Sequence, residues 1–299
     1  MKVIVLCIDG LEASLVKKWN LTSFMQKVWG IHDVSLISSQ GKLYTPILWA
    51  AFLLGENPQK YGFTYESIAN QKRKAGYGLL YPLYCIRRKI LGNRKLGLRQ
   101  IMVKLGLFSV DRIRKRAKYI ERLPSSAVSR TLIHEARKKG YKVWVREFPS
   151  YNDDKVAEMR AYMNLYFETS LKKRLDYLED IYSFSLQLFE DALNAVPNHD
   201  LVLYYTPVID YANHMLYRPR RIKLMFHLAR FYRRIEKLVK IMSARFGDKA
   251  AILIVSDHGY DPSTHYHSDY GFWSSNVELA LRPEKITDFK RIIMELLDK

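Results

Sequence analysis

Three short runs of almost wholly apolar residues constrain the fold of this chain more than any other feature. They occupy residues 3–8, 201–206 and 250–255. Such runs are typical of parallel strands, because helices cover both faces of a parallel sheet and leave no face for polar residues. Helical segments separate the runs. The sequence therefore predicts an α/β fold, a three-layer α/β/α sandwich around a mostly parallel sheet.

Further strands and helices are expected between these runs. Alternating patterns predict two more strands, at residues 31–37 and 141–148. Apolar spacing, with Gly140 and Gly247 as stop signals, predicts most of the helices. These helices cover residues 11–19, 131–139, 154–195, 219–246 and 286–297, and another begins after Thr45-Pro46. Residues 1–299 are expected to form a single domain.

The composition excludes a disordered chain and a membrane-spanning one. Apolar residues make up 48% of the chain and charged residues 26%, which is ordinary for a folded protein. No run approaches the roughly 18 apolar residues of a spanning helix, and the six that precede Asp9 are too few for a signal peptide. Cys7 and Cys85 cannot form a disulfide framework. We therefore expect a reduced, cytoplasmic protein.

Residues 65–125 form a strongly basic segment that interrupts the alternation of strands and helices. The segment holds sixteen Lys and Arg residues against three acidic ones, about +13 of the formal net charge of +19. Apolar residues such as Ile101, Met102, Val103 and Ile113 are interleaved with the charges. We expect a basic, mostly helical insertion that caps one edge of the sheet.

Seven side chains that can bind metal ions or act as nucleophiles fall near predicted strand ends. They are Asp9, Thr45, Asp210, His214, Asp257, His258 and His267. Functional residues of a parallel sheet gather just past the carboxyl ends of its strands. We therefore expect these side chains to lie close together.

The donor types and their spacing predict a site for divalent metal ions. Asp210 and His214 are four positions apart, so on a helix both side chains point the same way. Asp257 and His258 follow a strand, where both can turn toward one point. Mixed carboxylate and imidazole donors suit Zn²⁺ or Mn²⁺ better than Ca²⁺, and the set is large enough for two ions. The Thr45 hydroxyl beside such ions would be an activated nucleophile for phosphoryl transfer.

The order of these motifs resembles that of the alkaline phosphatase superfamily, in its type I phosphodiesterase/nucleotide pyrophosphatase branch. That branch carries Asp-Gly after the first strand, a Thr ten residues before a Gly, Asp-x3-His, Ser-Asp-His-Gly and a final His. The corresponding motifs here are Asp9-Gly10, Thr45 to Gly55, Asp210-x3-His214, Ser256 to Gly259, and His267. The resemblance covers nearly the whole chain apart from residues 65–125, and it implies an alkaline-phosphatase-like catalytic domain.

The resemblance also implies a role for each of the seven residues. One metal ion would be bound by Asp210, His214 and His267. The other would be bound by Asp9, Asp257, His258 and Thr45. Thr45 would attack phosphorus to form a phospho-threonine, which water then hydrolyses. The resemblance thus predicts a metal-dependent phosphoesterase for a phosphodiester or phosphoanhydride, with two divalent ions for which Zn²⁺ is favoured over Mn²⁺.

Three positions depart from the pattern of that branch. Leu54 replaces a Thr, Tyr61 replaces a His, and Glu66 stands near the place of an Asn that contacts the phosphoryl group. Two alternatives therefore stay open: a phosphomonoesterase at the same site, and a non-catalytic module that binds anions or a lipid surface. His265 competes with His267 as the last ligand. His267 is favoured because its spacing to Gly271, His-x3-Gly, resembles the terminal segment of that branch.

The basic segment leaves three interpretations of its charge. It could simply face solvent, form a lid that attracts a polyanionic substrate, or rest on an anionic membrane surface. The interleaved apolar residues favour the membrane over the lid. No nucleic-acid reading motif is present, so no sequence-specific nucleic-acid binding is expected. The expected partner is a phosphorylated small-molecule or lipid substrate, bound by a cytoplasmic protein that can also lie at the membrane surface.

Overall fold

A six-stranded sheet runs through the centre of the computed structural model, which describes residues 1–38, 42–92, 105–167 and 169–299. The strands are β1 (Lys2–Ile8), β2 (Val28–Asp33), β3 (Val143–Val145), β4 (Leu201–Thr206), β5 (Ala250–Val255), β6 (Tyr260–Asp261), β7 (Tyr266–His267) and β8 (Tyr270–Ser275). The sheet has the order β2-β8-β5-β1-β4-β3, and β6 and β7 form a separate hairpin. The four strands from β5 to β3 are parallel, whereas β8 and then β2 are added antiparallel to their neighbours.

Helices cover both faces of this sheet. They are α1 (Ala13–Lys18), α2 (Thr45–Leu54), α3 (Tyr65–Tyr77), α4 (Tyr81–Leu91), α5 (Val110–Ile120), α6 (Ser125–Val128), α7 (Leu132–Lys138), α8 (Lys155–Tyr162), α9 (Leu171–Ala195), α10 (Val208–Leu216), α11 (Ile222–Phe246) and α12 (Asp288–Leu297). One core contains Val3, Val5 and Cys7 with α2, α7 and α12. The other contains the alternate residues of β1 with α1, α9, α10 and α11. The three layers confirm the fold class predicted from the buried apolar runs.

The three apolar runs end together at one edge of the sheet. Ile8 of β1 pairs with Thr206 of β4, and Cys7 pairs with Val255 of β5. Asp9 therefore stands beside the residues that leave β4 and β5. This register places the polar side chains after all three strands within reach of one another.

Several predicted elements have different bounds in the structure. The second strand is Val28–Asp33 rather than 31–37, because residues 35–37 form a 3-10 turn. The third strand covers only Val143–Val145 of the predicted 141–148. The long helical region at 154–195 is two helices, α8 and α9, and Ser170 caps the second one. The helices expected at 11, 219 and 286 begin two or three residues later, at Ala13, Ile222 and Asp288. Helix α2 begins at Thr45 itself rather than after Pro46, and α7 begins at Leu132.

The basic segment contains α3, α4 and α5 in its described part. Ile101, Met102 and Val103 lie outside the described residues, while Ile113 is buried. Helices α3 and α5 pack against each other, and α5 also packs against α8. That the whole of residues 65–125 acts as a cap stays a prediction. No helix in the described ranges is long and apolar enough to cross a membrane.

A buried cluster of charges anchors this segment beside the first residue of α2. The Glu121 carboxylate contacts the Lys72 ammonium, the Arg160 guanidinium and the Tyr44 hydroxyl. Burial by itself would raise the pKa of Glu121, but the charges of Lys72 and Arg160 lower this pKa to about 2. Because Tyr44 directly precedes Thr45, the cluster fixes the backbone from which α2 begins.

Candidate metal centre

All seven predicted site residues lie at the edge where β1, β4 and β5 end. Asp9 directly follows β1, and Thr45 is the first residue of α2. Asp210 and His214 lie one turn apart on α10, which starts two residues after β4. Asp257 and His258 follow β5, and His267 comes from the β6–β7 hairpin. Local folding thus accounts for each position, because every donor stands at the end of a strand, on a helix next to one, or on that hairpin.

One group of donors joins α10 to the hairpin. Asp210 Oδ1 lies 3.3 Å from His214 Nε2 and 3.6 Å from His267 Nε2. The two imidazole nitrogens lie 3.0 Å apart. These three atoms converge on one point, as the ligands of a tetrahedral metal ion do.

A second group surrounds the imidazole of His258. Its Nε2 lies 3.2 Å from Asp9 Oδ1 and 3.5 Å from Asp257 Oδ2. Thr45 Oγ1 lies 3.4 Å from the same nitrogen. Asp210 Oδ1 is 4.0 Å away, so its carboxylate stands between the two groups and can serve either.

The electrostatics of the site favour positive charge at its centre. Burial would lower the pKa of His258, but the carboxylates of Asp257, Asp9 and Asp210 raise it to about 10. Burial would raise the pKa of Asp210, yet the neighbouring imidazoles, with His214 foremost, hold it below its usual range. Burial, followed by the charge of Asp9, raises the pKa of Asp257. Three carboxylates that share so little solvent are stabilised by any cation among them.

The buried carboxylate oxygens that lack a hydrogen bond fit divalent metal ions as ligands. Within the described residues, Asp9 Oδ1, Asp210 Oδ1 and Asp257 Oδ2 are buried and accept no hydrogen bond. A buried carboxylate oxygen without a partner costs several kcal/mol, unless a cation compensates it. His258 Nδ1 lies 2.8 Å from the Gly259 carbonyl and donates to it, so Nε2 is the ring atom on which a metal ion could replace the proton that faces the carboxylates. Oxygen and imidazole donors of this kind could hold Zn²⁺ or Mn²⁺.

Two supporting residues were missed at the level of the sequence. The Tyr205 hydroxyl donates to Asp9 Oδ2 at 2.5 Å, although the motif LVLYYT predicts only sheet packing for it. Asn213 Nδ2 donates to the Gly10 carbonyl at 2.7 Å, and its Oδ1 accepts from Tyr232. Both are fully buried, and they support the loop after β1 that carries Asp9. Nothing in the sequence pattern alone distinguishes these two residues from core positions.

The structure also places the residues that depart from the family pattern. Leu54 is buried at the end of α2, in the core. The Tyr61 hydroxyl donates to Glu56 at 2.6 Å and accepts from Arg130 at 2.9 Å, in a surface cluster. Glu66 is exposed in the first turn of α3. None of these three belongs to either donor group, so their side chains do not alter the ligand set.

The structure separates the two candidate histidines near the end of the site. His265 is exposed, and its backbone has a left-handed φ of 55°. The ring of His267 instead stacks on the ring of His258, with 3.6 Å between centroids. On its other side, His267 lies against Tyr266. Of the two, His267 is therefore the one that the fold brings to the donors.

A cleft lies beside the hairpin and reaches one of the seven site residues, His267. It has a volume of about 680 Å³, and His267, Tyr266 and Leu43 are among the residues that line it. The Tyr266 hydroxyl donates to the Leu43 carbonyl at 2.7 Å. This bond ties the hairpin to the segment before Thr45.

Comparisons with known proteins identify the family of this chain. A family model described as type I phosphodiesterase / nucleotide pyrophosphatase matches residues 3–280. The match confirms the resemblance predicted from the motif order. Among curated protein sequences, none matches this chain significantly.

Solved structures are similar to this chain at low sequence identity, and an alkaline phosphatase shares its fold. An alkaline phosphatase variant from the Antarctic bacterium TAB5, with Mg bound in its M3 site, has a TM-score of 0.50 at 12% identity, covering 99% of this chain and 97% of its own. The PH0037 protein from Pyrococcus horikoshii has a TM-score of 0.47 at 12% identity, with coverages of 99% and 97%. Murine ectonucleotide pyrophosphatase/phosphodiesterase 5 has a TM-score of 0.45 at 12% identity, and the match covers 87% of this chain but 57% of that protein.

Proposed function

Because this chain belongs to the type I phosphodiesterase / nucleotide pyrophosphatase family, we propose that it is a phosphoesterase that cleaves a phosphodiester or phosphoanhydride. The observation that carries the proposal is the position of Thr45. Its hydroxyl lies 3.4 Å from His258 Nε2, in the second of the two donor groups. A hydroxyl at that place has the surroundings that a nucleophile for phosphorus needs.

Thr45 is suited to this role by its helix as well as by its neighbours. It opens α2, which spans ten residues, so the positive end of the helix dipole lies beside its hydroxyl. A phosphoryl group that approaches Thr45 gains from this partial charge. Thr45 is 4% exposed, so little bulk water reaches the site to attack phosphorus in place of its hydroxyl. Thr45 Oγ would form a bond to phosphorus while the bond from phosphorus to the leaving oxygen breaks.

The two donor groups would hold two divalent ions. The first ion would be bound by Asp210, His214 and His267. The second would be bound by Asp9, Asp257, His258 and Thr45. Bound ions would supply charge that neutralises the phosphoryl oxygens and lowers the pKa of a hydroxyl or water nearby. Zn²⁺ is favoured because imidazole donors contribute to both groups.

The chain's own residues complete the cycle. The attack of Thr45 leaves a phospho-threonine and releases the first product with its oxygen. A water molecule then attacks the same phosphorus, and the bond to Thr45 Oγ breaks, which restores the hydroxyl. His258 and the carboxylates around it would stay in place through both steps. Tyr205 and Asn213 keep the loop after β1 in place.

The test compares hydrolysis of bis-p-nitrophenyl phosphate and p-nitrophenyl phosphate by the wild type and by Thr45→Ala. We expect the wild type to cleave the diester in a chelator-sensitive reaction. Thr45→Ala should lose at least about a thousandfold in kcat, because the attacking oxygen is gone. Thr45→Ser is the matched control, since it keeps a hydroxyl at the same place and should retain measurable turnover.

Metal content, measured by elemental analysis, distinguishes the possible failures. Thr45→Ala should keep most of its metal, because six other ligands are intact. Diester hydrolysis by Thr45→Ala at the wild-type rate would rule out the nucleophile. A preference of the wild type for the monoester would instead assign a phosphomonoesterase. No turnover and no bound metal in the wild type would point to a non-catalytic binding module.

A further inference from the structure

Four aliphatic side chains form a stripe on one side of α4 and the turn before it. Leu79, Leu83, Ile86 and Ile90 are 98%, 63%, 55% and 74% exposed in the described part of the chain. Their spacing of four, three and four residues places them on a single side of a helix. Scattered apolar residues on a surface are ordinary, but a continuous stripe on a helix is a binding surface.

The opposite side of α4 is held firmly by the rest of the protein. Leu80, Tyr81 and Tyr84 pack against the core. The rings of Tyr84 and Tyr77 stack with 4.7 Å between centroids, and Tyr77 also meets Phe108. The helix therefore cannot roll to bury its aliphatic stripe without giving up these ring contacts.

An exposed basic side chain borders the stripe. At 3.6 residues per turn, Lys89 projects about 90° to one side of it. Helix α4 contains no acidic residue, whereas Arg88 on its inner side donates to Asn70. The stripe together with Lys89 is named the α4 patch below.

We propose that the α4 patch docks on an anionic lipid bilayer. Aliphatic side chains would enter the boundary between headgroups and acyl chains, while the Lys89 ammonium meets the lipid phosphates. A second copy of this chain fits the patch poorly, because it would bring the same positive charge into contact. A nucleic acid would satisfy this ammonium but leave the four aliphatic side chains uncovered.

Helix α4 is linked through α3 to the segment that precedes Thr45. Helix α3 precedes α4 by a single turn, and its Lys72 donates to the Tyr44 hydroxyl at 2.6 Å. Tyr44 is the residue before Thr45. This step rests on the proposed function: a phosphoesterase held in this way would act on a phosphate ester of the bilayer or its surface.

The experiment is co-sedimentation with vesicles of phosphatidylcholine, with or without phosphatidylglycerol. We expect the wild type to bind vesicles that contain the anionic lipid and to dissociate as salt is raised. Leu83→Gln/Ile86→Gln should bind at least about tenfold more weakly, since it removes apolar area without changing the charge. The matched control is Ile31→Gln/Ile241→Gln, which changes two exposed isoleucines away from the patch and should bind as the wild type does.

Binding and catalysis are read separately in this design. Both double variants should unfold in denaturant at the wild-type midpoint, which shows that they are folded, and should hydrolyse bis-p-nitrophenyl phosphate in solution at the wild-type rate. Sedimentation requires no turnover, so it stands even if the proposed reaction is wrong. Equal vesicle binding by the wild type and Leu83→Gln/Ile86→Gln would overturn the proposal. So would equal binding to neutral vesicles, or a wild-type dimer that only this variant dissociates.

Discussion

At the scale of single residues, Gly10 shows how closely the backbone has to approach one ligand. Its φ of 67° lies in the left-handed region, which favours glycine. A Cβ at this position would stand 2.8 Å from the Asp210 Cα and Cβ atoms. Asn213 in turn donates to its carbonyl. The loop after β1 therefore requires glycine at this position for two separate reasons, one conformational and one steric.

Gly10→Ala should destabilise the protein and also empty the metal centre. The left-handed conformation alone costs an alanine about 1–2 kcal/mol, and the clash with Asp210 adds to this cost. Gly140→Ala is the matched control, because Gly140 has a φ of 91° but no atom within 4 Å of the added Cβ. Denaturant unfolding and metal content would be measured for both. Similar losses of stability with full metal content in each would contradict the steric part.

Tyr205→Phe should weaken metal binding while leaving the fold intact. The ring stays in the core, but Asp9 Oδ2 loses the hydrogen bond that orients it. Loss of such a supporting bond typically costs about 10–100-fold in metal affinity. Tyr204→Phe is the control, because its hydroxyl donates to the Ser185 carbonyl, away from the ligands. Affinities would come from competition with a chelator, and equal values for the two variants would exclude the positioning role.

The convergence of the candidate ligands was predictable from the sequence, whereas the residues that support them were not. Asp257 and His258 are conspicuous because charged and imidazole groups directly follow an apolar run. Tyr205 is hidden inside such a run. Its role depends on the register that sets Tyr205 opposite Cys7, two residues before Asp9. Register is a property of the assembled sheet, so no local pattern could reveal this hydrogen bond.

At the scale of elements, the sheet was predicted best at its centre and worst at its antiparallel edge. Strands β1, β4 and β5 are buried on both faces, so their sequences are uninterrupted apolar runs. Strand β8 reads YGFWSS and lacks such a run, although it is mostly buried. Strand β2 alternates between buried and exposed positions, and its buried side chains include His32. A polar residue facing inward obscures the apolar alternation that the prediction uses.

His32 makes the edge strand β2 sensitive to pH. Its Nε2 lies 2.8 Å from the Ser256 carbonyl and donates to it, just before Asp257. Burial lowers the pKa of His32 to about 4, so the folded imidazole is neutral at pH 7. Unfolded His32 takes up a proton below about pH 6.5. Between pH 6.5 and pH 4 the unfolded state therefore binds more protons, and stability falls as the pH falls.

His32→Gln should lack this loss of stability. At pH 5 the advantage of the wild type over His32→Gln should be smaller than at pH 7 by about 2 kcal/mol. Other titrating groups, such as Asp153 with its burial-raised pKa of about 7, are common to both proteins and cancel in the comparison. Unfolding free energies at the two pH values would be measured, with His134→Gln on α7 as the exposed control. A difference between wild type and His32→Gln that is constant with pH would refute the assignment.

At the scale of the whole molecule, the net charge of +19 affects how the protein meets its substrates more than how it folds. Among the residues that the structure describes, few basic side chains are as deeply buried as Arg160, and most face water. A positive surface raises the local concentration of anionic substrates and accelerates their arrival. The charge sign and its concentration in residues 65–125 are visible in the sequence. How the helices of that segment pack beside the site is not, because charge patterns do not encode tertiary contacts.

Salt should therefore lower kcat/KM for an anionic diester and leave kcat almost unchanged. Screening shortens the reach of the surface charges to about 8 Å at physiological ionic strength. The steady-state constants for bis-p-nitrophenyl phosphate would be measured over a series of sodium chloride concentrations. A several-fold fall in kcat/KM is expected from low to high salt. A kcat that falls in parallel would show that salt acts on the chemical step or the metals instead.

The donors of the centre come from both ends of the described fold, from Asp9 after the first strand to His267 in the last hairpin. During synthesis, a nascent chain holds no complete set until the residues around position 267 have left the ribosome. Any misregistered or truncated product likewise presents a partial set and binds ions weakly. Ion binding then adds its free energy only to the correctly assembled state. Loading of the centre would thus act as a quality check, so that the metallated fraction of a preparation reports how much of the protein has folded correctly.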